Sequence, residues 1–390
     1  MKEGWEYKKL GEVCDFEGGA QPPKSEWINH PQDGYVRMLQ IRDFTKSRNA
    51  EIEYVKITKK LRLCKADDIL IGRYGASVGK ILTGLAGAYN VAIIKSIPNE
   101  ELIRKDFIRR YFESSLFQSI LFKVCTARAA QAGFSKDDIK DELIPLPSLS
   151  EQQSIVDYLD SAFAKIDAMK ANAEKALNEA KALFQASLKE MLEPKEGWEE
   201  KELGEVGTFV RGGNFSKKDF IEDGFPCVHY GQIHTTFGVA TYKHLSCVPE
   251  NMVKKERCAS KGDLIIAITS EDDEGSCKST AWMADYDAYV GGHTAIFKHN
   301  LNPLFVSYYF MSPRFQKAKL DYTHGFKVVE ISPKDIAKIS IFYPSLSEQQ
   351  SIVSSLDTLK SKVDQLQANY DNISKECDAL KQAILKQVFE

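Results

Sequence analysis

The sequence predicts an α+β protein: two similar mixed α/β globular domains and two long helices that form an antiparallel coiled coil. Three observations carry this. The chain is a tandem repeat, because Pro147-Ser148-Leu149-Ser150-Glu151-Gln152-Gln153-Ser154-Ile155-Val156 recurs residue for residue at Pro344 to Val353. Upstream, Lys2-Glu3-Gly4-Trp5-Glu6 returns at Lys195 to Glu199, and Leu10-Gly11-Glu12-Val13 at Leu203 to Val206. The repeat, roughly 195 residues, is far too long for a solenoid and reads as a duplicated two-part module. Each decapeptide then opens a long helical pattern free of proline and glycine, and each is preceded by short apolar runs between glycine-rich turns.

The elements follow in chain order. The first globular domain, residues 1–147, holds the strand-like runs Ile69-Leu70-Ile71 and Val91-Ala92-Ile93-Ile94, then a helix from Phe107 to Phe122. The first long helix covers 148–193. The second domain, 194–344, repeats the scheme with Leu264-Ile265-Ile266, Thr294-Ala295-Ile296-Phe297 and a helix from Phe305 to Leu320. The two short helices share Tyr111/Tyr309, Phe112/Phe310, Phe117/Phe315 and Gln118/Gln316. The second long helix covers 345–390, with Ser347 as its N-cap and Gln350 at the capping-box position. Its seam is Ile352, Leu356, Leu359, Val363, Leu366, Tyr370, Ile373, Cys377, Leu380 and Ile384, at alternating spacings of four and three. The first helix offers a smaller seam: Ile155, Leu159, Ala162, Ile166, Met169, Ala173, Ala176, Ala180 and Leu183. Amphipathic helices ~60 Å long need packing to persist, and pairing with each other supplies it. Folding of each helix onto its own globular domain is the alternative. Antiparallel pairing of duplicated halves gives an internal pseudo-two-fold repeat.

Composition bounds the class. With 390 residues, 43% hydrophobic and 27% charged, the chain is an ordinary soluble one with more than one core. Its opening residues form no signal peptide and no stretch approaches a membrane span, so a cytoplasmic protein is expected. The eight cysteines form no Cys-x-x-Cys pair and read as reduced, mostly buried thiols. Net charge is −3 overall but +4 over residues 1–147 and −2 over 194–344. Any nucleic-acid binding must then rest on local patches or on partner subunits.

Several chemistries are excluded. Gly72-Arg73-Tyr74-Gly75-Ala76-Ser77-Val78-Gly79-Lys80-Ile81 is no P-loop, since Tyr74 stands where a glycine is required and Ile81 where Ser or Thr is required. It reads instead as a strand-turn-strand with backbone amides and Arg73 near phosphates. Methyl transfer to adenine needs an Asn-Pro-Pro-aromatic loop, which the chain lacks. Glu271-Asp272-Asp273-Glu274 is the one acidic run: a solvated turn, or an acid accepting from a cytosine amino group. Six of the seven histidines lie in the second half, without the spacing of a zinc site, so no metal is expected.

The two halves share a frame and differ in polar positions. Tyr35 to Arg42 set against Cys227 to His234 pairs Val36/Val228, Gln40/Gln232 and Ile41/Ile233, while Arg37/His229, Met38/Tyr230 and Arg42/His234 differ. Shared helices with unlike polar loops suggest one partner bound twice and two targets read once each. At these residues the chain resembles the specificity subunit of type I restriction-modification systems. The resemblance rests on Trp-Glu-x-x-x-Leu-Gly-Glu-Val opening each half, the Gly18-Gly19 and Gly212-Gly213 turns, Asp68 to Lys80, and the Pro-Ser-Leu-Ser-Glu-Gln-Gln decapeptide before each helix. The second half departs from it at Ala267-Ile268-Thr269-Ser270, where Arg-x-Gly is missing.

The resemblance implies two target-recognition domains reading half-sites of double-stranded DNA. The helices would space them and dock two methyltransferase subunits, with restriction (translocase-nuclease) subunits joining for cleavage. The subunit would do no chemistry and hold no cofactor, with S-adenosylmethionine, ATP and Mg²⁺ on its partners. Arginine and glutamine are the bidentate base readers, and histidine, tyrosine and serine neutral ones. The DNA-binding candidates are therefore Lys24, Arg37, Arg42, Arg73, Tyr74, Lys80, Arg128 and Gln131 in the first half. In the second they are Arg211, His229, Tyr230, Gln232, His234, Ser270, His293, His324 and Lys327. For the partners the candidates are Glu151, Gln152, Gln153, Glu348, Gln349 and Gln350. From another class, the alternative is a coiled-coil adaptor whose globular ends bind proteins.

Overall fold

The computed structural model describes residues 4–45, 51–126, 133–325 and 328–390. They form two compact units, Met1–Asn172 with Asp371–Glu390, and Ala173–Tyr370. Each unit thus holds one globular segment and part of both long helices.

In the first unit, Cys14–Gly18, Ile93–Pro98, Ile69–Gly72 and Ile81–Leu82 line up in that order as an antiparallel sheet. A second sheet orders Tyr54–Lys56, Tyr35–Leu39, Gly87–Tyr89 and Leu63–Cys64, with Tyr35–Leu39 parallel to Gly87–Tyr89. Ile69–Gly72 is buried along its whole length, which is why its sequence is continuously apolar rather than alternating. Strand Ile93–Pro98 starts later than its apolar run suggests, because Asn90 Oδ1 accepts from Ala92 N and makes the preceding residues a turn. Glu6–Lys9 pairs with Leu143–Leu146, directly before the first long helix.

The second unit repeats this plan with Ala240–Thr241 added to one sheet and a further two-stranded pair, Thr269–Ser270 with Val329–Glu330. Its sheets run Gly207–Arg211, Thr294–His299, Leu264–Ala267, Ser279–Trp282, Ala240–Thr241, and Ser246–Val248, Phe225–Val228, Ala288–Val290, Cys258–Ala259. Glu199–Glu202 pairs with Ser340–Tyr343 ahead of the second long helix. Seven of the eight cysteines are buried. Burial pushes the thiols of Cys14, Cys227 and Cys277 up to about 12, which keeps them protonated and inert.

Each short helix is in fact two. Lys105–Glu113 stops at Ser114 and Ser115–Thr126 resumes; Pro303–Met311 stops at Ser312 and Pro313–Ala318 resumes. The serine hydroxyls break the run. Ser114 Oγ donates to Tyr111 O at 2.6 Å and Ser312 Oγ to Tyr309 O at 2.6 Å, while Ser312 Oγ accepts from Phe315 N.

The long helices are Leu149–Met191 and Leu346–Phe389. The N-cap of the second sits earlier than expected. Ser148 Oγ and Ser345 Oγ accept from Glu151 N and Glu348 N, so the caps are Ser148 and Ser345 and Gln350 has no part in them. Within the first unit the helices pair antiparallel, with Lys170 meeting Asp378 and Lys381 donating to Asp167 at 2.5 Å. Within the second, Lys181 reaches Gln367 at 2.8 Å. Each helix start also packs on its own globular segment: Val156, Leu159 and Phe163 share a core with Phe107 and Tyr111, and Ile352, Val353 and Leu356 one with Phe305 and Tyr309.

The first helix's seam departs from the expected one at Met169, Ala176 and Leu183. Phe163, Leu177 and Phe184 are buried, whereas Met169 and Leu183 are each 59% exposed and Ala176 is exposed. At three steps the larger member of an adjacent pair turns inward (Phe163 over Ala162, Leu177 over Ala176, Phe184 over Leu183), because it buries more apolar area, whereas Val156 is buried more deeply than its neighbour Ile155. The second helix keeps its seam through Cys377, then Leu380 turns outward and Leu385 and Phe389 finish the contact.

Candidate nucleic-acid interface

The repeated motifs of the sequence turn out to touch one another. Trp5 Nε1 donates to Glu151 Oε1 at 2.8 Å, and Trp198 Nε1 to Glu348 Oε1 at 3.2 Å. Gln152 accepts from Arg104 N at 2.8 Å and donates to Leu102 O and Pro147 O. Gln349 accepts from Asn302 N at 2.9 Å and donates to Pro344 O. Both glutamines are buried, so neither presents a surface to a partner: they tie each globular segment to its helix, because buried backbone groups left over by the helix ends demand partners. Glu151, Glu348 and Gln350 are exposed and Gln153 half-buried, Gln153 donating to Asp157 and Gln350 accepting from Asn302 Nδ2.

The sheets fix which residues of the two units correspond. Asn90 N donates to Leu39 O, and Gly291 N to Val228 O. Gln40 and His229 each begin the next helix, their N–H groups bonded to Asp43 Oδ2 and Gln232 Oε1. Leu39 therefore matches Val228 and Gln40 matches His229, three residues away from the pairing that the sequence motifs propose. Helical spacing of three and four makes that slip invisible in a linear comparison.

In the second unit the candidates converge on one corner. His229 caps helix Tyr230–Thr235, its Nδ1 accepting from Gly231 N at 3.2 Å. Tyr230 lies with its ring 4.6 Å from His229, 6.0 Å from His234 and 5.2 Å from His293. Thr269 joins them through its carbonyl to His234 Nε2 and its hydroxyl to His293 Nδ1. Thr269–Ser270 pairs with Val329–Glu330, and Glu330 exchanges backbone bonds with His324 and an ion pair of 3.1 Å with Arg211. Thus Arg211, His229, Tyr230, His234, Ser270, His293 and His324 form one connected set. Gln232 holds the His229 backbone through its Oε1 while its amide turns away to donate to Ser246 Oγ at 2.8 Å. Thr269, Glu330 and Lys278, which donates to His234 O, belong to this corner and carry no sequence signal that singles them out. Lys327 lies outside the described residues.

Burial holds His229 below the ordinary histidine value of 6.5, with Lys217 and His293 adding repulsion, so it stays neutral and able to accept. A depressed histidine stabilises the fold while neutral: the contribution is present above 6.5 and is lost as the pH falls below it. His229→Asn, which caps without titrating, should therefore lose less thermal stability than the wild type between about pH 7.5 and about pH 5.5. Equal losses in a melting series would refute the role of this cap.

In the first unit the candidates form two groups. Arg37 donates to Asp43 at 2.8 Å, and Glu53 binds Lys24, Arg42 and, at 3.0 Å, Gln40. Burial alone would raise the Glu53 carboxyl, but Lys24, with Gln40 and Arg42, outweighs it and holds the group below the usual range. Asp43 and Glu53 were missed by sequence reasoning, although Asp43 three residues after Gln40 has capping-box spacing. The second group is the turn. Ile69–Gly72 and Ile81–Leu82 flank it as strand-turn-strand, and Gln118 Nε2 donates to Gly79 O at 2.9 Å. Arg73 Nε donates to Phe134 O at 3.1 Å with its guanidinium 5.1 Å from the Tyr74 ring, and Tyr74 and Lys80 are exposed. Arg128 and Gln131 lie outside the described residues. Glu271 to Glu274 form an exposed turn, and no cluster able to hold a metal occurs among the described residues.

Two globular units of one design, with polar side chains gathered at one corner of the second and in two groups in the first, define a duplicated recognition protein. The family model for the type I restriction modification DNA specificity domain matches residues 2–179 and again 195–374, and the chain belongs to that family. It is similar to the MjaVIII specificity subunit of Methanocaldococcus jannaschii, 24% identical with 96% of this chain and 90% of the relative covered. It also resembles the EcoBI specificity subunit of Escherichia coli, 22% identical over 100% of this chain and 86% of that protein. A solved structure from work on complex assembly and conformational transition of the type I R-M system aligns with TM-score 0.74, 20% identity and coverage of 100% and 98%. The HsdS subunit from Thermoanaerobacter tengcongensis aligns with TM-score 0.52 and 19% identity, covering 99% and 97%. The chain is a DNA-specificity subunit of a type I restriction-modification system, and the adaptor alternative is not favoured. None of the helices among the described residues is long and apolar enough to cross a membrane.

Proposed function

We propose that each unit reads one half of a bipartite site in duplex DNA through its polar corner, and that the long helices set the spacing. One observation carries this reading: the central strands keep the same register in both units, while Gln40, Arg42 and Tyr74 stand where the other unit has His229, Gly231 and Thr269. A shared frame with unlike donors and acceptors suits two different base sequences. The first corner, rich in arginine, suits guanine; the second, with four histidines and Tyr230, reads with neutral groups.

On this reading two methyltransferase subunits dock on the helices, and translocase-nuclease subunits join them. Outward Tyr158, Met169, Leu183 and Leu380 suit such docking better than the buried glutamines do, since large apolar side chains on a helix's outer face mark contact surfaces. This chain would contribute recognition and no chemistry, in the cytoplasm, with S-adenosylmethionine, ATP and Mg²⁺ held by its partners. Replacing residues 14–146 with the matching segment of a relative should change one half of the methylated motif and leave the other intact. If genome-wide methylation sequencing shows both halves changed, the modular reading fails.

A further inference from the structure

The turn after the central strand carries Arg73 in the first unit and Ile268 in the second, and the register proves that these positions correspond. Arg73 N donates to Ala92 O, and Ile268 N to His293 O. The neighbouring strand shows the reverse exchange. Gly18 pairs with Ile94 and Ile71 pairs with the same residue; Arg211 pairs with Ala295, as Ile266 does. Gly18 and Arg211 thus correspond, as do Arg73 and Ile268.

The side chains explain why the two exchanges go together. A Cβ placed on Gly18 would lie 3.0 Å from Arg73 Nη1, so the Arg73 guanidinium occupies the space that the Arg211 side chain leaves from in the other unit. Its stem stands where Ile268 is buried in the second core, and its Nε is held by Phe134 O. Arg211 is held in turn by Gly292 O at 3.3 Å and by Glu330, whose counterpart is Gly133, the residue bridged to Tyr74 as Glu330 is registered with Thr269. A guanidinium therefore sits beside the glycine turn in both units, delivered from the turn in one and from the edge strand in the other.

We infer that Arg73 and Arg211 are one and the same phosphate anchor, supplied once per unit. The inference rests on the DNA-reading function proposed above. Around this point the side chains differ between the units, as they must if the bases read are different, while a guanidinium beside the glycine turn recurs in both. A group needed identically by two different half-sites contacts what the half-sites share, and that is the backbone phosphate. The Arg211–Glu330 pair is half exposed on both sides, so it orients the guanidinium without competing strongly with a phosphate.

The test uses the assembled methyltransferase complex with a duplex carrying its own methylated motif. Arg73→Ile should weaken binding about tenfold on every duplex tried, lower the salt slope by about one, and leave the methylated motif unchanged. The double variant Gly18→Arg/Arg73→Ile, which installs the second unit's arrangement, should recover most of the affinity and the slope. Arg211→Ala, at a side chain 55% exposed, should act as Arg73→Ile does without touching the core. A changed base within one half-site would make these residues base readers and overturn the inference. So would a failure of the double variant to recover while its thermal unfolding matches the wild type. If the wild-type complex itself shows no sequence-dependent binding, the DNA-reading function falls instead.

Discussion

Gln152→Leu is expected to cost about 3–6 kcal/mol, because it strips partners from one buried and two half-buried backbone groups at once, at about 1–2 kcal/mol each, the lower part of the range for a fully buried group. Those groups are Arg104 N–H, Leu102 C=O and Pro147 C=O. Leucine fills a similar volume, so little of the loss comes from packing; the penalty is desolvation without compensation. For a unit of this size the loss corresponds to a fall in melting temperature of roughly 10 °C or more. Gln349→Leu strips Asn302 N–H and Pro344 C=O and should cost less. Gln153→Leu is the control, since its amide reaches only Asp157 on the same helix. Calorimetry of the three variants decides the matter. A Gln152→Leu melting temperature equal to that of Gln153→Leu would mean that the globular segment and helix are joined by apolar packing alone.

That buried glutamine also shows what a sequence can and cannot disclose. The decapeptide's exact repetition marked it as functional surface, and its polarity pointed outward. Only the fold reveals that Gln152 satisfies a helix start and a loop 48 and 50 residues away. Periodicity was a reliable guide where side-chain size left no choice, as at Leu159, Ile166, Leu356 and Val363, all buried. It failed where adjacent residues competed for one inward position, as Phe184 does with Leu183. Local chemistry located the strand-turn-strand at Gly72 to Ile81 but could not locate Arg73's counterpart. That equivalence lies in strand register, and register depends on pairing across the chain rather than on spacing along it. The convergence of His229, His234, His293 and His324 was legible as an excess of histidine, and its geometry was not.

The helices offer the most direct test of how the half-sites are spaced. The two compact units divide the first helix between Asn172 and Ala173 and the second between Tyr370 and Asp371. Inserting one heptad at both points keeps the apolar seam in register and lengthens each helix by about 10 Å, at 1.5 Å per residue. Along the duplex that is about three base pairs at 3.4 Å each. Three base pairs also rotate one half-site by about 100° relative to the other, given 10–10.5 per turn. Either the supercoil takes up that rotation or the DNA deforms, at a cost of order 1–6 kcal/mol. The expected result is weaker binding and a methylated motif with unchanged half-sites and an unspecified gap longer by about two to four pairs. A single insertion in either helix puts seven residues opposite none and should abolish assembly rather than move the gap. Methylation sequencing of cells carrying the double insertion reads the outcome directly. An unchanged gap, in a complex that still assembles and methylates, would show that something other than helix length measures the site.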